Sequence, residues 1–275
     1  MIVSEFIMIP KIIHYCWFGK GEMPKKDKEC LDSWRKYMPD YEIKCWNEEN
    51  FDINAYDYAK AAYKAKKWAY VSDCARFVIL YNEGGLFLDT DVLALRSFDD
   101  LLNNKCFFGI ERPNYHVATG LAIGAEPKNP VIKKILELYI TTEFINPDIV
   151  SCAPTAPIYA TEILKEFGFV KENKLQILDD VTIYPYDFFA PMDYITGLVE
   201  KTENTYSIHL YNFSWAKPND RKWKTRQYKL NNFFGVNVGK KIYLLWSLPE
   251  RIYLRIKNEG FLDTIKYLKN RNSKT

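Results

Sequence analysis

The stretch between residues 71 and 91 constrains the fold more than any other part of the chain. Residues 71–83 read as a helix whose segment Cys74 to Leu80 is apolar but for Arg76. Asp73 and Arg76 stand three residues apart and therefore share a face of that helix. An exposed acid–base pair of this kind contributes well under ~1 kcal/mol, so within so apolar a segment at least one of the two serves more than solubility. Gly84-Gly85 then stops the helix, because glycine supplies the left-handed turn a helix end needs. The chain continues at once as a short apolar strand, Leu86 to Asp89, which runs out into Asp89-Thr90-Asp91.

The rest of the sequence repeats this alternation. Residues 11–18 are β-branched and aromatic and end at Gly19, which reads as a first, buried strand. Residues 24–38 open with a proline suited to a first helical turn and carry Cys30, Leu31, Trp34 and Met38 on one face. Strands are expected at 41–46, 106–110, 121–125, 175–178 and 206–211, and helices at 55–68, 130–140 and 156–167. Strands alternating with helices indicate an α/β sandwich with a largely parallel sheet. At the carboxyl end of a strand in such a sheet, side chains point into the crevice where ligands bind. Two carboxylates two residues apart, Asp89 and Asp91, can there serve one hard divalent cation such as Mn²⁺ or Mg²⁺, together with phosphate oxygens of a substrate. For the triplet alone the alternative is a turn with two solvated aspartates; the Gly-Gly stop and the Asp73/Arg76 helix weigh against it.

Composition narrows the class. The six cysteines are scattered without a Cys-x-x-Cys, which suits reduced thiols in a cytosolic protein and disfavours zinc. The N-terminus lacks a basic region and carries Glu5 in its apolar part, so it is a poor signal peptide. No stretch reaches the ~20 apolar residues of a membrane span. The net charge of +3 is unevenly spread, since residues 217–275 hold 15 Lys or Arg against four acidic residues. Within this tail, residues 240–257 interleave basic with aromatic and aliphatic residues, as in a helix lying in an anionic membrane interface. A tail helix packed on its own domain is the alternative. The expected location is therefore cytoplasmic, with peripheral attachment to the inner face of the cell membrane through the tail.

The run Ser72-Asp73-Cys74-Ala75-Arg76 through Gly84-Gly85-Leu86-Phe87-Leu88-Asp89-Thr90-Asp91 closely resembles the sugar-binding DXD region of glycosyltransferase family thirty-two. That family includes yeast α-mannosyltransferases, bacterial capsular-polysaccharide enzymes and relatives of the clostridial glucosylating toxins. Ile9-Pro10-Lys11-Ile12-Ile13-His14-Tyr15-Cys16-Trp17-Phe18-Gly19 is similar to the family's opening strand, and His209-Leu210-Tyr211-Asn212-Phe213-Ser214-Trp215 to the end of its catalytic domain. The resemblance spans about residues 9–216 and leaves the basic tail outside it.

The resemblance implies a GT-A fold, with a catalytic domain over residues 1–216 and a basic, aromatic-rich extension over 217–275. It implies a retaining, metal-dependent transfer of a hexose from a nucleotide-sugar, of the UDP-galactose or UDP-glucose type, to a glycan acceptor, lipid-linked or free, in surface or capsular polysaccharide synthesis. Carried onto this chain, Trp17 stacks on the nucleotide base with Cys16 beside it, while His14 is structural. Ser72, Asp73 and Arg76 face the donor. Phe87 stands where relatives often have tyrosine, so it offers packing but no hydroxyl. Asp91 binds the metal directly and Asp89 is shared between metal and donor sugar. His209 completes the metal site, with Asn212 as second candidate, and Ser214 and Trp215 approach the diphosphate. The loops at 119–125 and 153–157 have small residues suited to substrate approach. A metal-dependent nucleotidyl- or phosphotransferase is the rival enzyme, but the chain has no Gly-rich phosphate loop. A non-catalytic sugar-nucleotide-binding protein is the rival of another class, against which the matched positions keep competent chemistry. No module accompanies the tail that would suit nucleic acid.

Overall fold

The computed structural model describes residues 8–148, 155–214, 216, 218–261 and 263. The chain divides into two units, one of residues 1–193 and 199–215, the other of residues 194–198 and 216–275.

In the first unit, β1 (Ile12–Cys16) leads to α1 (Lys25–Tyr37), β2 (Glu42–Trp46), α2 (Asp57–Lys64) and α3 (Trp68–Glu83). Then come β3 (Gly85–Phe87), β4 (Val92–Ala94), β5 (Cys106–Glu111), β6 (His116–Ala125), α4 (Pro130–Thr141) and α5 (Ala156–Glu166). The unit closes with β7 (Gln176–Ile177), β8 (Thr182–Tyr184), α6 (Tyr186–Phe189) and β9 (Ser207–His209). Seven strands form one sheet in the order β2-β1-β3-β6-β5-β8-β7. Five of them, β2, β1, β3, β5 and β8, run the same way, while β6 and β7 oppose them. The expected α/β architecture with a mostly parallel central sheet is present. Neighbouring residues of a strand face opposite sides, and Phe107 and Phe108 of β5 accordingly enter two different apolar cores. One core is built with α2, α3, α4 and α5, around Phe77, Phe108, Ile132 and Tyr139; the other with α1, around Trp34, Phe98, Phe107 and Phe189.

The junction of α3 and β3 fixes the register of the centre. The Gly84 amide donates to the Leu80 carbonyl, and Gly84 and Gly85 take φ of +67° and +93°. A Cβ on Gly85 would also stand 2.8 Å from the Ile12 carbonyl oxygen, so the chain needs glycine there for space as well as for φ. His14 of β1 locks the same junction. Trp46 donates its indole N–H to His14 Nδ1 (3.1 Å), so Nε2 carries the proton and donates to the Gly84 carbonyl (2.9 Å). Burial pushes this imidazole from 6.5 down to about 4.

Several boundaries differ from the sequence expectations. The helix expected over 55–68 ends at Lys64, where Lys66 takes a φ of +58°, and α3 begins at Trp68 rather than at residue 71. The strand expected at 121–125 starts at His116, so Thr119 and Gly120 belong to a central strand rather than to a loop. The short β4, β8 and α6 were not expected, because three or four residues carry too little periodicity to show. A two-stranded ladder outside the main sheet joins β4 to β9 and sets Val92 opposite His209.

In the second unit, α7 (Pro218–Phe234) and α8 (Val236–Glu259) form a helical hairpin. Lys222 and Arg226 of α7 reach Glu250 of α8, each at 2.8 Å, across two turns of facing helix. Residues 194–198 are held to α7 by Asn231 on the Thr196 carbonyl (2.8 Å), Asn232 on the Gly197 carbonyl (2.9 Å) and the Tyr228 hydroxyl on the Tyr194 carbonyl. The outer face of α8 shows Leu245, Trp246 and Tyr253 to solvent. Among the described residues no helix is long and apolar enough to cross a membrane.

Candidate active site

The acidic run leaves the sheet at the end of β3 and turns immediately. The Val92 amide donates to the Asp89 carbonyl (3.0 Å), and the Asp89 amide donates to Gly120 of β6 (3.2 Å). Gly120 lies directly under the Asp89 carboxylate, where a Cβ would stand 2.1 Å from Oδ2. Asp91 is received by the segment that follows β9. Its Oδ1 meets His209 Nε2 at 3.1 Å, its Oδ2 accepts the Asn212 amide at 2.7 Å, and its carbonyl accepts the Leu210 amide at 2.9 Å. Tyr211 and Phe213, on either side of Asn212, both sit in the left-handed region, at φ of 48° and 49°. Such backbone costs about 1–3 kcal/mol per residue and persists where surrounding contacts hold it.

Asp89, Asp91 and His209 each offer one ligand atom, the three atoms lying within 4.8 Å of one another. The electrostatics suit a cation. Burial pushes Asp89 up, the Arg76 guanidinium opposes that, and Asp91 adds to it. Burial would also raise Asp91, but the His209 ring beside it and the amide of Asn212 hold it below the usual carboxylate range. Burial lowers His209, and the charges of Asp91, Asp89 and Glu111 more than reverse this, so the ring sits above its ordinary value. Its Nδ1 is buried with no hydrogen-bond partner among the described residues. Two carboxylates and an imidazole fit a divalent cation.

A second group adjoins the first. Arg76 is only 3% exposed, and every nitrogen of its guanidinium is bonded. Nε donates to the Ser72 carbonyl (3.2 Å) and Nη1 to the Thr119 hydroxyl (3.1 Å). Nη2 faces Asp73 (2.8 Å), Asp89 (3.2 Å) and the Ser72 hydroxyl (3.4 Å). The guanidinium lies 4.9 Å from the centre of the Phe87 ring, itself wholly buried, so Phe87 contributes packing beneath Arg76. Burial pushes Asp73 up to about 6, against the pull of Arg76 and with that of Asp89. Arg76 thus orients two carboxylates, Asp73 and Asp89, rather than standing as an open cation.

The remaining residues singled out from the sequence fall as follows. Cys16, at the end of β1, lies beside Ser72, and its thiol is raised chiefly by burial. Trp17 follows it, half-buried, with its amide on the Trp46 carbonyl (2.8 Å) and its indole N–H on Gly21 (2.7 Å), which fixes the plane of the ring. Ser214 is exposed in the turn after Asn212, and Trp215 lies outside the described residues. In the loop at 153–157, Ala153 and Pro154 also lie outside them.

The structure adds residues that the sequence reading passed over. Asp27 of α1 lies on the buried stripe with Cys30, Leu31 and Trp34 and accepts from Thr90. Glu111, at the end of β5, accepts the Tyr211 hydroxyl (3.2 Å), and Tyr211 packs edge-on against His209 with centroids 4.3 Å apart. Burial raises Glu111. Asp27 had a legible signal, a charge at a position whose helical neighbours are all apolar; Glu111 had none.

Residues 24–108, which carry α1, the Arg76 helix and the acidic turn, match the family described as a glycosyltransferase sugar-binding region containing a DXD motif. That stretch is what this chain has in common with DXD-type glycosyltransferases. Among its curated relatives, inositol phosphoceramide mannosyltransferase 3 of Schizosaccharomyces pombe is 37% identical over 108 residues, covering 36% of this chain and 29% of the relative. A mannosyl phosphorylinositol ceramide synthase of Saccharomyces cerevisiae is 27% identical over 203 residues, covering 66% of this chain and 50% of the relative. The chain spans only part of these relatives, half their length or less. Of solved structures, the PaToxG glycosyltransferase overlaps at a TM-score of 0.44 with 18% identity, over 58% of this chain and 69% of that one. The galactosyltransferase LgtC in complex with donor and acceptor sugar analogues overlaps at a TM-score of 0.41 with 14% identity, over 78% of this chain and 93% of that one.

Proposed function

We propose that this DXD glycosyltransferase moves a hexose from a nucleoside diphosphate sugar to a glycan or lipid acceptor, with a divalent cation held by Asp89, Asp91 and His209. The observation that carries the reading is the convergence of those three side chains from two segments 118 residues apart in sequence. Bound there, the cation supplies Lewis-acid stabilisation of the negative charge that grows on the leaving diphosphate. The protein's own groups do the rest. Asp73 accepts hydrogen bonds from sugar hydroxyls and is held in place by Arg76. Arg76 fixes Asp89 from the other side. Trp17 offers a fixed aromatic surface for the nucleotide base. The Ser214 hydroxyl and the indole N–H of Trp215 donate to the diphosphate. In a retaining course the acceptor hydroxyl attacks C1 from the side of the departing phosphate, which takes the acceptor's proton.

For the donor, relatives named for mannose transfer favour a mannosyl nucleotide, whereas the Trp17 platform is the reason to test UDP-glucose and UDP-galactose beside it. The same names favour a lipid acceptor over a capsular glycan. The second unit, with Leu245, Trp246 and Tyr253 exposed among lysines and arginines, suits peripheral contact with an anionic membrane on its cytoplasmic side. In this reading residues 1–216 are catalytic and 217–275 serve attachment. The test is a donor screen, in which the protein with Mn²⁺ is incubated separately with GDP-mannose, UDP-glucose and UDP-galactose and slow release of nucleoside diphosphate is measured. Release from one of the three is expected; neither release nor binding with any of them refutes the reading.

A further inference from the structure

We infer that Asp27 of α1 is a positioning residue for the metal-binding turn, acting through Thr90 and Asn212. The inference rests on the proposed metal site and extends it to a part of the chain to which no role has yet been given. Asp27 is 6% exposed and lies on the stripe of α1 that packs inward with Cys30, Leu31 and Trp34. Its Oδ1 accepts the Thr90 hydroxyl at 2.7 Å, and its Oδ2 accepts the Asn212 side-chain amide at 3.4 Å. Thr90 is the residue between the two metal-binding aspartates. Asn212 is the residue whose backbone amide holds Asp91 Oδ2 at 2.7 Å. One carboxylate therefore ties α1 to the turn after β3 and to the loop after β9, the two segments whose meeting brings His209 to Asp91.

A structural role alone accounts poorly for this placement. Burial raises the Asp27 carboxyl, and the negative charge of Asp91 raises it further, while Thr90 and Asn212 only partly offset them. An apolar side chain on the same stripe would extend the core without either penalty. What the carboxylate supplies, and an apolar side chain cannot, is a fixed orientation for two hydrogen-bonded neighbours of the metal ligands. Removal of such outer partners typically lowers metal affinity by about 10- to 100-fold.

The test is Mn²⁺ binding by the full chain in the presence of UDP or GDP, followed by electron paramagnetic resonance of free Mn²⁺ and independent of turnover. Asp27→Ala removes both bonds but also a negative charge, which weakens cation binding by itself; Thr90→Val removes one bond at constant charge and shape. The expected result is a Mn²⁺ Kd raised about tenfold or more in each. The double variant should be little worse than Asp27→Ala, and Thr90→Ser, which keeps the hydroxyl, should lie close to the wild type. A Kd within twofold of the wild type in folded Thr90→Val overturns the inference. So does full additivity of the two substitutions, which would leave charge as the only contribution of Asp27. If Asp27→Ala fails to fold, Thr90→Val and its serine rescue decide alone. A wild type that binds no Mn²⁺ with either nucleotide contradicts the metal site itself, and the inference falls with it.

Discussion

Gly120→Ala isolates the geometry of Asp89 from almost everything else. Gly120 lies within β6 on ordinary extended backbone, so alanine meets no conformational obstacle there. Exchanging a strand glycine for alanine is if anything favourable to the backbone, by about 0.5–1 kcal/mol. The added Cβ, however, would stand 2.1 Å from Asp89 Oδ2 and 2.9 Å from its Cγ, where ordinary contact begins at 3.4 Å. The carboxylate must retreat by more than ~1 Å. Arg76 cannot follow it, because the same guanidinium is bound to Ser72, Asp73 and Thr119 and is buried. A displacement near ~1 Å in a reacting constellation costs about 10²-fold in rate, which corresponds to roughly 2.7 kcal/mol of transition-state stabilisation. The expected outcome is kcat/KM for donor hydrolysis down by about 10²-fold and a weaker Mn²⁺ affinity, with a melting temperature within a few degrees of the wild type. The assay pairs steady-state donor hydrolysis with a thermal melt. A folded Gly120→Ala protein with kcat/KM within a factor of about three of the wild type would refute the placement of Asp89 against β6, since ten-fold is only 1.36 kcal/mol.

Two pH effects follow from buried groups. Asp73 is raised from 3.8 to about 6, so its charge is costly in the folded protein; the stability of the unliganded protein should rise as pH falls through 6, by up to about 3 kcal/mol once the pH is below 3.8. Over the same window protonation removes an acceptor for sugar hydroxyls, so the donor KM should increase as pH drops from 7 to 5. Asp73→Asn should flatten the stability effect in urea titrations, and an unchanged slope would contradict the assignment. His14 behaves oppositely. Its folded value of about 4 lies below the ordinary 6.5, so its neutral form stabilises the fold above pH 6.5 and that stability is lost as pH falls through 4, up to about 3 kcal/mol. Melting curves of the wild type and His14→Gln between pH 7 and 4 should converge as the pH falls; parallel curves would show that His14 does not titrate in this way.

The parts of the fold legible in the sequence were those with long, strongly patterned signals. The apolar run Cys74 to Leu80, stopped by Gly84-Gly85, identified α3 and the turn into β3 because both glycines meet a steric demand, Gly84 beside Pro127 and Gly85 beside the Ile12 carbonyl. His14 was read as structural and is bonded on both nitrogens. The candidate cluster was legible where one segment contained it, as with Asp89 and Asp91. His209 needed a resemblance, because its neighbour across the ladder, Val92, is 117 residues away and β4 and β9 are three residues each. The small side of Gly120, which by sequence suits substrate approach, is filled by Asp89 of the same chain. Arg76, which the resemblance turns toward the donor, is bonded to Ser72, Asp73, Asp89 and Thr119. Contacts between distant segments decide such questions, and spacing along the chain does not encode them.

In the proposed reaction, sugar transfer depends on a cation held by Asp89, Asp91 and His209. The most direct measurement is Mn²⁺-dependent release of nucleoside diphosphate from the donor that the wild type uses, repeated with Asp91→Ala. The expected result is release that is abolished by EDTA and restored by Mn²⁺ in the wild type, and none above background in Asp91→Ala, whose fold and melting cooperativity persist. Full activity in folded Asp91→Ala, or wild-type release unaffected by EDTA, would contradict it.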